Sequence, residues 1–196
     1  SGVYGDCAGA RVDETRRVHP QSARARRRVA AEALVRGFAS VGGTRTIVLR
    51  APGIYALDRP GGTPRQRLLR AVPVLQASDD VYTNHIHADD LARACALALW
   101  RGRPQRALNV CDDSVLTMGD YFDLAADLLG LPHPPRVSRQ QAQVLMSPAQ
   151  LSFLGESRRL SNHRLKAELR LRLRYPCVDS GLARGPTKGE PRGARI

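Results

Sequence analysis

With 196 residues, 42% of them hydrophobic and 25% charged, the chain is sized for one domain around one sizeable core, and its composition excludes disordered, collagen-like and disulfide-dense classes. The longest uninterrupted apolar run, residues 94–100, is far short of the ~20 residues a membrane helix needs, so no membrane partner is expected. The net charge of +13 rests on 31 basic residues, of which only Lys166 and Lys188 are lysines. It gathers in residues 11–36, 158–174 and 183–196 without the interleaved aromatics of a base-stacking surface, so solvated helix faces and a tail are expected rather than a nucleic-acid footprint.

The chain opens on Gly2-Val3-Tyr4-Gly5-Asp6, which reads as the end of a strand entering a loop. Residues 21–40 carry Ala30, Ala33, Leu34, Gly37 and Phe38 at helical spacing, with Arg24, Arg28 and Glu32 on another face and Gly42-Gly43 as the stop. Thr44 to Leu49 is a β-branched run that ends in the turn-rich Pro52-Gly53, and a short helix follows near 64–70. Asp89 or Asp90 is expected to cap a helix with Leu91, Cys95, Ala98 and Leu99 on one face. A strand over 107–111 leads to a helix capped by Thr117, carrying Tyr121, Leu124, Ala125 and Leu128. Small helices around 138–146, 148–154 and 161–169 and an extended 171–175 complete the reading, and residues 183–196 are expected to form a basic disordered tail. Cys7, Cys95, Cys111 and Cys177 form no Cys-x-x-Cys pair. Packed, reduced thiols at Cys95 and Cys111 and a reducing, cytoplasmic compartment follow.

Alternating strands and helices imply an α/β sheet covered on both faces. Five ordered segments resemble the extended short-chain dehydrogenase/reductases, the NAD(P)-dependent epimerases and dehydratases: Val3-Tyr4-Gly5, His19-Pro20-Gln21-Ser22 with Ala31-Glu32, Leu49-Arg50, Pro52 to Tyr55, and Ile86-His87-Ala88-Asp89-Asp90-Leu91-Ala92. The resemblance implies a partial doubly wound, Rossmann-like parallel sheet with an interleaved, mostly helical substrate-binding region over residues 1–182. No Gly-x-x-Gly-x-x-Gly occurs between a strand and a helix, so the pyrophosphate-binding turn of that family is absent from these residues. The segments therefore resemble its later part. An unpaired sheet edge, poor solubility and no independent dinucleotide binding are the expectations.

The family's chemistry uses a Tyr-x-x-x-Lys pair, one helical turn apart, in which the Tyr moves a proton and the Lys holds the nicotinamide ribose. Matching Pro20-Gln21-Ser22 places Arg24 at the Tyr position and Arg28 at the Lys position. Arg28 can still hydrogen-bond ribose hydroxyls; the Arg24 guanidinium stays protonated and cannot exchange a proton near neutrality. The Arg24, Arg28, Glu32 stripe thus reads either as a re-purposed site or as a solvated face with an Arg28–Glu32 pair. The resemblance further implies NAD or NADP as cofactor, with Arg28, Pro52 and Gly53 near it. Tyr4, Tyr55 and Arg158 become candidate contacts to a sugar-like or small carbonyl substrate such as a nucleotide sugar, and a homodimer is the candidate assembly. Tyr4 and Tyr55 also read as packing residues, and Arg158 as part of a surface charge run. His85 and His87 share a strand face with no third ligand at suitable spacing, so no metal is expected. The alternative to an oxidoreductase is a catalytically silent module that binds an anionic partner.

Overall fold

The computed structural model describes residues 2–183; the tail expected over 183–196 lies, apart from Ala183, outside the described residues. Residues 2–4 form a 3₁₀ turn rather than the expected strand end, stapled by His19 N donating to Val3 O at 2.9 Å. After β1 (Arg11–Val12), Ser22 caps α1 (Ala23–Gly42) by accepting from Ala25 N, and Gly43 ends it at φ 65°, the left-handed conformation that glycine adopts without strain. β2 (Ile47–Arg50) and β3 (Gly53–Tyr55) are separated by Ala51-Pro52, where the missing proline N–H interrupts the ladder.

The next elements are α2 (Arg65–Leu69), β4 (Val74–Leu75), β5 (Tyr82–Thr83), β6 (His85–His87) and α3 (Ala88–Arg101). α3 is capped by the His87 ring, whose Nδ1 accepts from Asp89 N, and not by either aspartate. Asp90 is instead buried, accepting from Arg174 N, Tyr175 N and Arg93. β7 (Arg106–Asn109), β8 (Leu116–Thr117) and α4 (Met118–Leu129) follow, the last entered through a Thr117/Asp120 capping box. Then come β9 (Arg136–Val137), α5 (Arg139–Leu145), α6 (Pro148–Leu154), β10 (Arg159–Leu160), α7 (His163–Leu169) and α8 (Val178–Ala183). Capping boxes at Ser138/Gln141 and Ser147/Gln150 open α5 and α6. Residues 171–175 form no strand; Asp90 holds their backbone as a loop.

Among the described residues five two-stranded ladders result, four parallel and one antiparallel. β2 runs parallel to β7 and β3 parallel to β6, so the strand broken at Pro52 feeds two neighbours in turn. Among the described residues β2 has a ladder on one edge only. Ile86, Ala94, Ala98, Leu108 and Leu165 form one core cluster; Tyr55, Leu68, Tyr121, Phe122 and Val178 form another.

Two helix faces depart from expectation. In α1 the apolar stripe is exposed, Leu34 at 75% and Phe38 at 68%, while Ala25 and Ala39 point inward with half-buried Val29 and Glu32. The reason is electrostatic: Arg50, buried at the end of β2, takes Glu32 in a bidentate pair at 2.7 and 3.0 Å, which also replaces the expected Arg28–Glu32 contact. In α3 the inward face is Asp90, Ala94 and Ala98, leaving Cys95 and Leu99 exposed, so the Cys95 thiol is not packed. Cys111 is buried, and that burial pushes its thiol up to about 12.

Candidate functional site

One cavity of about 620 Å³ lies where the first turn of α1, the β2–β3 junction, α2, α4 and the loop after α6 converge. Arg24, Arg28, Pro52, Gly53, Tyr55 and Arg158 all line it. The sequence-proposed positions are thus brought together, with one exception. Tyr4 does not reach the cavity: it is 1% exposed, its hydroxyl accepts from Arg50 at 2.8 Å and donates to Asn109 Oδ1 at 2.8 Å. Its expected substrate contact is corrected to a place in a buried network with Arg50, Glu32 and Asn109, and burial raises its hydroxyl above the usual phenol range.

Tyr55 presents its ring to the cavity but ties its hydroxyl to Cys177 O at 3.3 Å, with burial again the main cause of a raised pKa. A Cβ at Gly181 would stand 2.5 Å from Tyr55 Cε2, so α8 approaches this ring only because glycine occupies that position. Arg28 is exposed at the mouth, whereas Arg24 stacks its guanidinium 3.9 Å over the Phe153 ring. Arg158 is buried and not part of a surface run; its Nη1 meets Glu156 Oε2 and Gly5 O, both at 3.0 Å.

Three further lining residues, Glu156, Arg67 and His85, were not singled out as ligand contacts from sequence. Glu156, 7% exposed, rests against Gly2 of the 3₁₀ turn: a Cβ there would be 3.2 Å from its Oε2. Arg67 on α2 lies 4.3 Å over Phe122, and burial holds its guanidinium below the usual range. His85 stacks on Tyr121 at 4.0 Å, and burial takes its imidazole down to about 3, so it is neutral throughout the physiological range. Glu156 and Arg67 carry no motif, and their role depends on loops folding back over the strand ends. His85 was visible as half of a His-x-His pair, and its partner His87 turned out to be a helix cap. No cluster of three or more metal-ligating side chains occurs among the described residues. No helix among them is long and apolar enough to cross a membrane.

These residues meet an NAD(P) molecule only in part. Arg28 at the mouth offers a guanidinium that can donate to hydroxyls, and Pro52 borders the same cavity. Gly53 is a packing glycine, since a Cβ there would lie 3.2 Å from His85 Cδ2, and the described residues contain no glycine-rich strand-to-helix turn for the pyrophosphate.

The chain belongs to the NAD dependent epimerase/dehydratase family, whose profile matches residues 1–111. A functionally unknown conserved protein from Silicibacter pomeroyi DSS is 36% identical, with a TM-score of 0.81 over 93% of this chain and 61% of its own. RMD from Pseudomonas aeruginosa, solved with NADPH, is 18% identical with a TM-score of 0.69, covering 93% of this chain and 61% of that one. The dTDP-glucose 4,6-dehydratase of Bacillus anthracis, solved with NAD, is 16% identical with a TM-score of 0.72, covering 93% and 57%. The last two likenesses bear on the fold alone. The chain spans about three fifths of the length of these structures. No curated protein matches it.

Proposed function

We propose that residues 1–182 supply the later strands and the substrate-binding region of an NAD(P)-dependent oxidoreductase, epimerase or dehydratase acting on a sugar-like or small carbonyl substrate. The observation that carries this reading is the joint lining of one cavity by Arg24 and Arg28 of α1, Pro52 and Gly53 at the strand junction, and Arg158 of the loop after α6. In this reading Arg28 contacts the nicotinamide ribose, Pro52 and Gly53 border the ring, and Tyr55 and Arg158 face the substrate. Solved relatives that hold NADPH or NAD, one of them named for dTDP-glucose, support NAD or NADP and a nucleotide-sugar-like ligand. When bound, the nicotinamide would supply hydride chemistry; the described residues lack its pyrophosphate turn, and no step is derived through it. The four unbridged cysteines suit a reducing cytoplasm.

A second reading rests on Arg24. Its guanidinium is held over Phe153, and arginine side chains in general do not exchange protons near neutrality, so a site of this build binds without transferring protons. Hydride transfer to a panel of aldoses and nucleotide sugars, followed by nicotinamide fluorescence in the natural full-length polypeptide, separates the two. If the first reading holds, R24Y/R28K raises turnover by about 100-fold or more, the scale of a restored general acid–base group. Retained sugar binding with no turnover in either form establishes the silent module.

A further inference from the structure

Resting on the cavity being a ligand site, we infer that it is built for a small polyhydroxylated anion, with the anionic group seated on Arg67 and a hydroxyl donating to Glu156. Among the described residues, four of the buried side-chain atoms without a hydrogen-bond partner belong to cavity residues: Arg67 Nε, His85 Nδ1, Glu156 Oε1 and Arg158 Nε. A buried polar group left unmet is destabilising, and native proteins keep such groups few. Their gathering in one cavity is what a bound ligand would complete.

The chemistry of each group sets what the ligand offers. Among the described lining residues Glu156 is the only carboxylate. Its Oε2 is used by Arg158, and its buried Oε1 is an acceptor that requires a donor, which a hydroxyl supplies. Arg158 is neutralised by that pair, and Arg59 is tied to Ile54 O at 2.9 Å. Arg67 differs: it is partly buried, and its contact is the Phe122 face rather than a carboxylate, no ion pair to it occurring among the described residues. A desolvated guanidinium with an open Nε–H is a seat for a carboxylate or phosphate, which its planar fork meets with charge-assisted bonds. The neutral His85 ring, held flat on Tyr121, leaves Nδ1 for a further hydroxyl. A sugar acid and a sugar phosphate both present this combination.

Calorimetry on the 196-residue chain, without nicotinamide cofactor, tests this with glucose 6-phosphate, glucuronate, glucose and inorganic phosphate. At least one sugar anion should bind about tenfold or more tightly than glucose, as one charged hydrogen-bonded contact provides; which one distinguishes phosphate from carboxylate. R67Q should erase that preference. E156Q should weaken the sugar anion while leaving inorganic phosphate unchanged. Equal affinity for glucose and both sugar anions, a preference that survives R67Q, or no saturable binding at all overturns the inference. Should R67Q fail to fold, the Arg67 Nε–H resonance of the unsubstituted chain, assigned by its loss in R67K, is the readout: it moves with the sugar anion and not with glucose, and a signal that stays still overturns the inference. Because turnover is not measured here, failure of this binding test and failure of the hydride-transfer reading are separable.

Discussion

Helices α1 and α4 both carry apolar residues at helical spacing, yet they use them in opposite ways. α4 buries Tyr121, Phe122, Ala125 and Ala126 against α2, α8 and β4, a face rotated slightly from the expected one, so that Leu128 stays outside. α1 shows Leu34, Phe38 and Val41 to solvent and turns Glu32 toward the protein. Beneath α4 lies an apolar cluster; beneath α1, Val29 meets the cluster of Val3, Tyr4 and Cys7 while Glu32 meets the polar group of Tyr4, Arg50 and Asn109. Periodicity reveals that a helix has two faces, and the chemistry of whatever lies beneath it selects between them.

That contrast can be broken most forcefully at its centre. F122A should cost about 3–5 kcal/mol in denaturant unfolding, the range for removing a buried aromatic ring, whereas F38A on α1 should change stability by less than about 0.5 kcal/mol. A comparable loss at both sites would refute the difference. R50M, which leaves Glu32 and Tyr4 without their partner, is expected to cost about 3 kcal/mol by the same measurement. If α1 were held by its apolar stripe, R50M would instead be nearly silent. G181A should cost about 1–3 kcal/mol through overpacking against Tyr55, and Y55F should not relieve it, because the clash is with ring carbons as well as the hydroxyl.

Titration sharpens the comparison on the α4 side, where His85 and Asp112 lie close to the cluster. Burial raises the Asp112 carboxyl to about 7, and its Oδ2 has no partner. Its folded pKa exceeds its unfolded value near 4, so the folded state keeps the proton longer. The contribution to stability is fully present below about pH 4 and is lost as pH rises through about 7. His85 runs the other way: depressed to about 3 from 6.5, it favours folding above about pH 6.5 and loses that contribution as pH falls toward 3. D112N should therefore stabilise relative to the unsubstituted chain at pH 8 and converge with it near pH 4, as read by Tm across pH. The smallest expected effect is F38S, which should leave Tm within a degree or two while raising solubility, since it removes an exposed apolar residue from α1.

Much of the local structure was legible in residue chemistry. Thr117 opens α4 by side-chain capping and Gly43 ends α1, both as the residues lead one to expect, because caps depend on atoms a few residues apart, whereas α3 takes His87 as its cap in place of Asp89 or Asp90. Six of the proposed site residues also meet at one cavity. The two-residue ladders such as β1 with β10 were not legible, since each pairs segments far apart in the chain and carries too few residues for alternation to register. Nor was Tyr4, whose hydroxyl found partners 46 and 105 residues away.

The sequence by itself determined the family and most of the order of helices, because these depend on residue identity and short spacing. Only the tertiary structure decided which face of α1 meets the protein, that Tyr4 is buried while Tyr55 lines the cavity, and that Arg67 and Glu156 stand in it with unmet polar atoms. Those outcomes follow from burial and pairing between distant segments, where a charge such as Arg50 takes the partner that the fold brings within 3 Å rather than the one nearest in sequence.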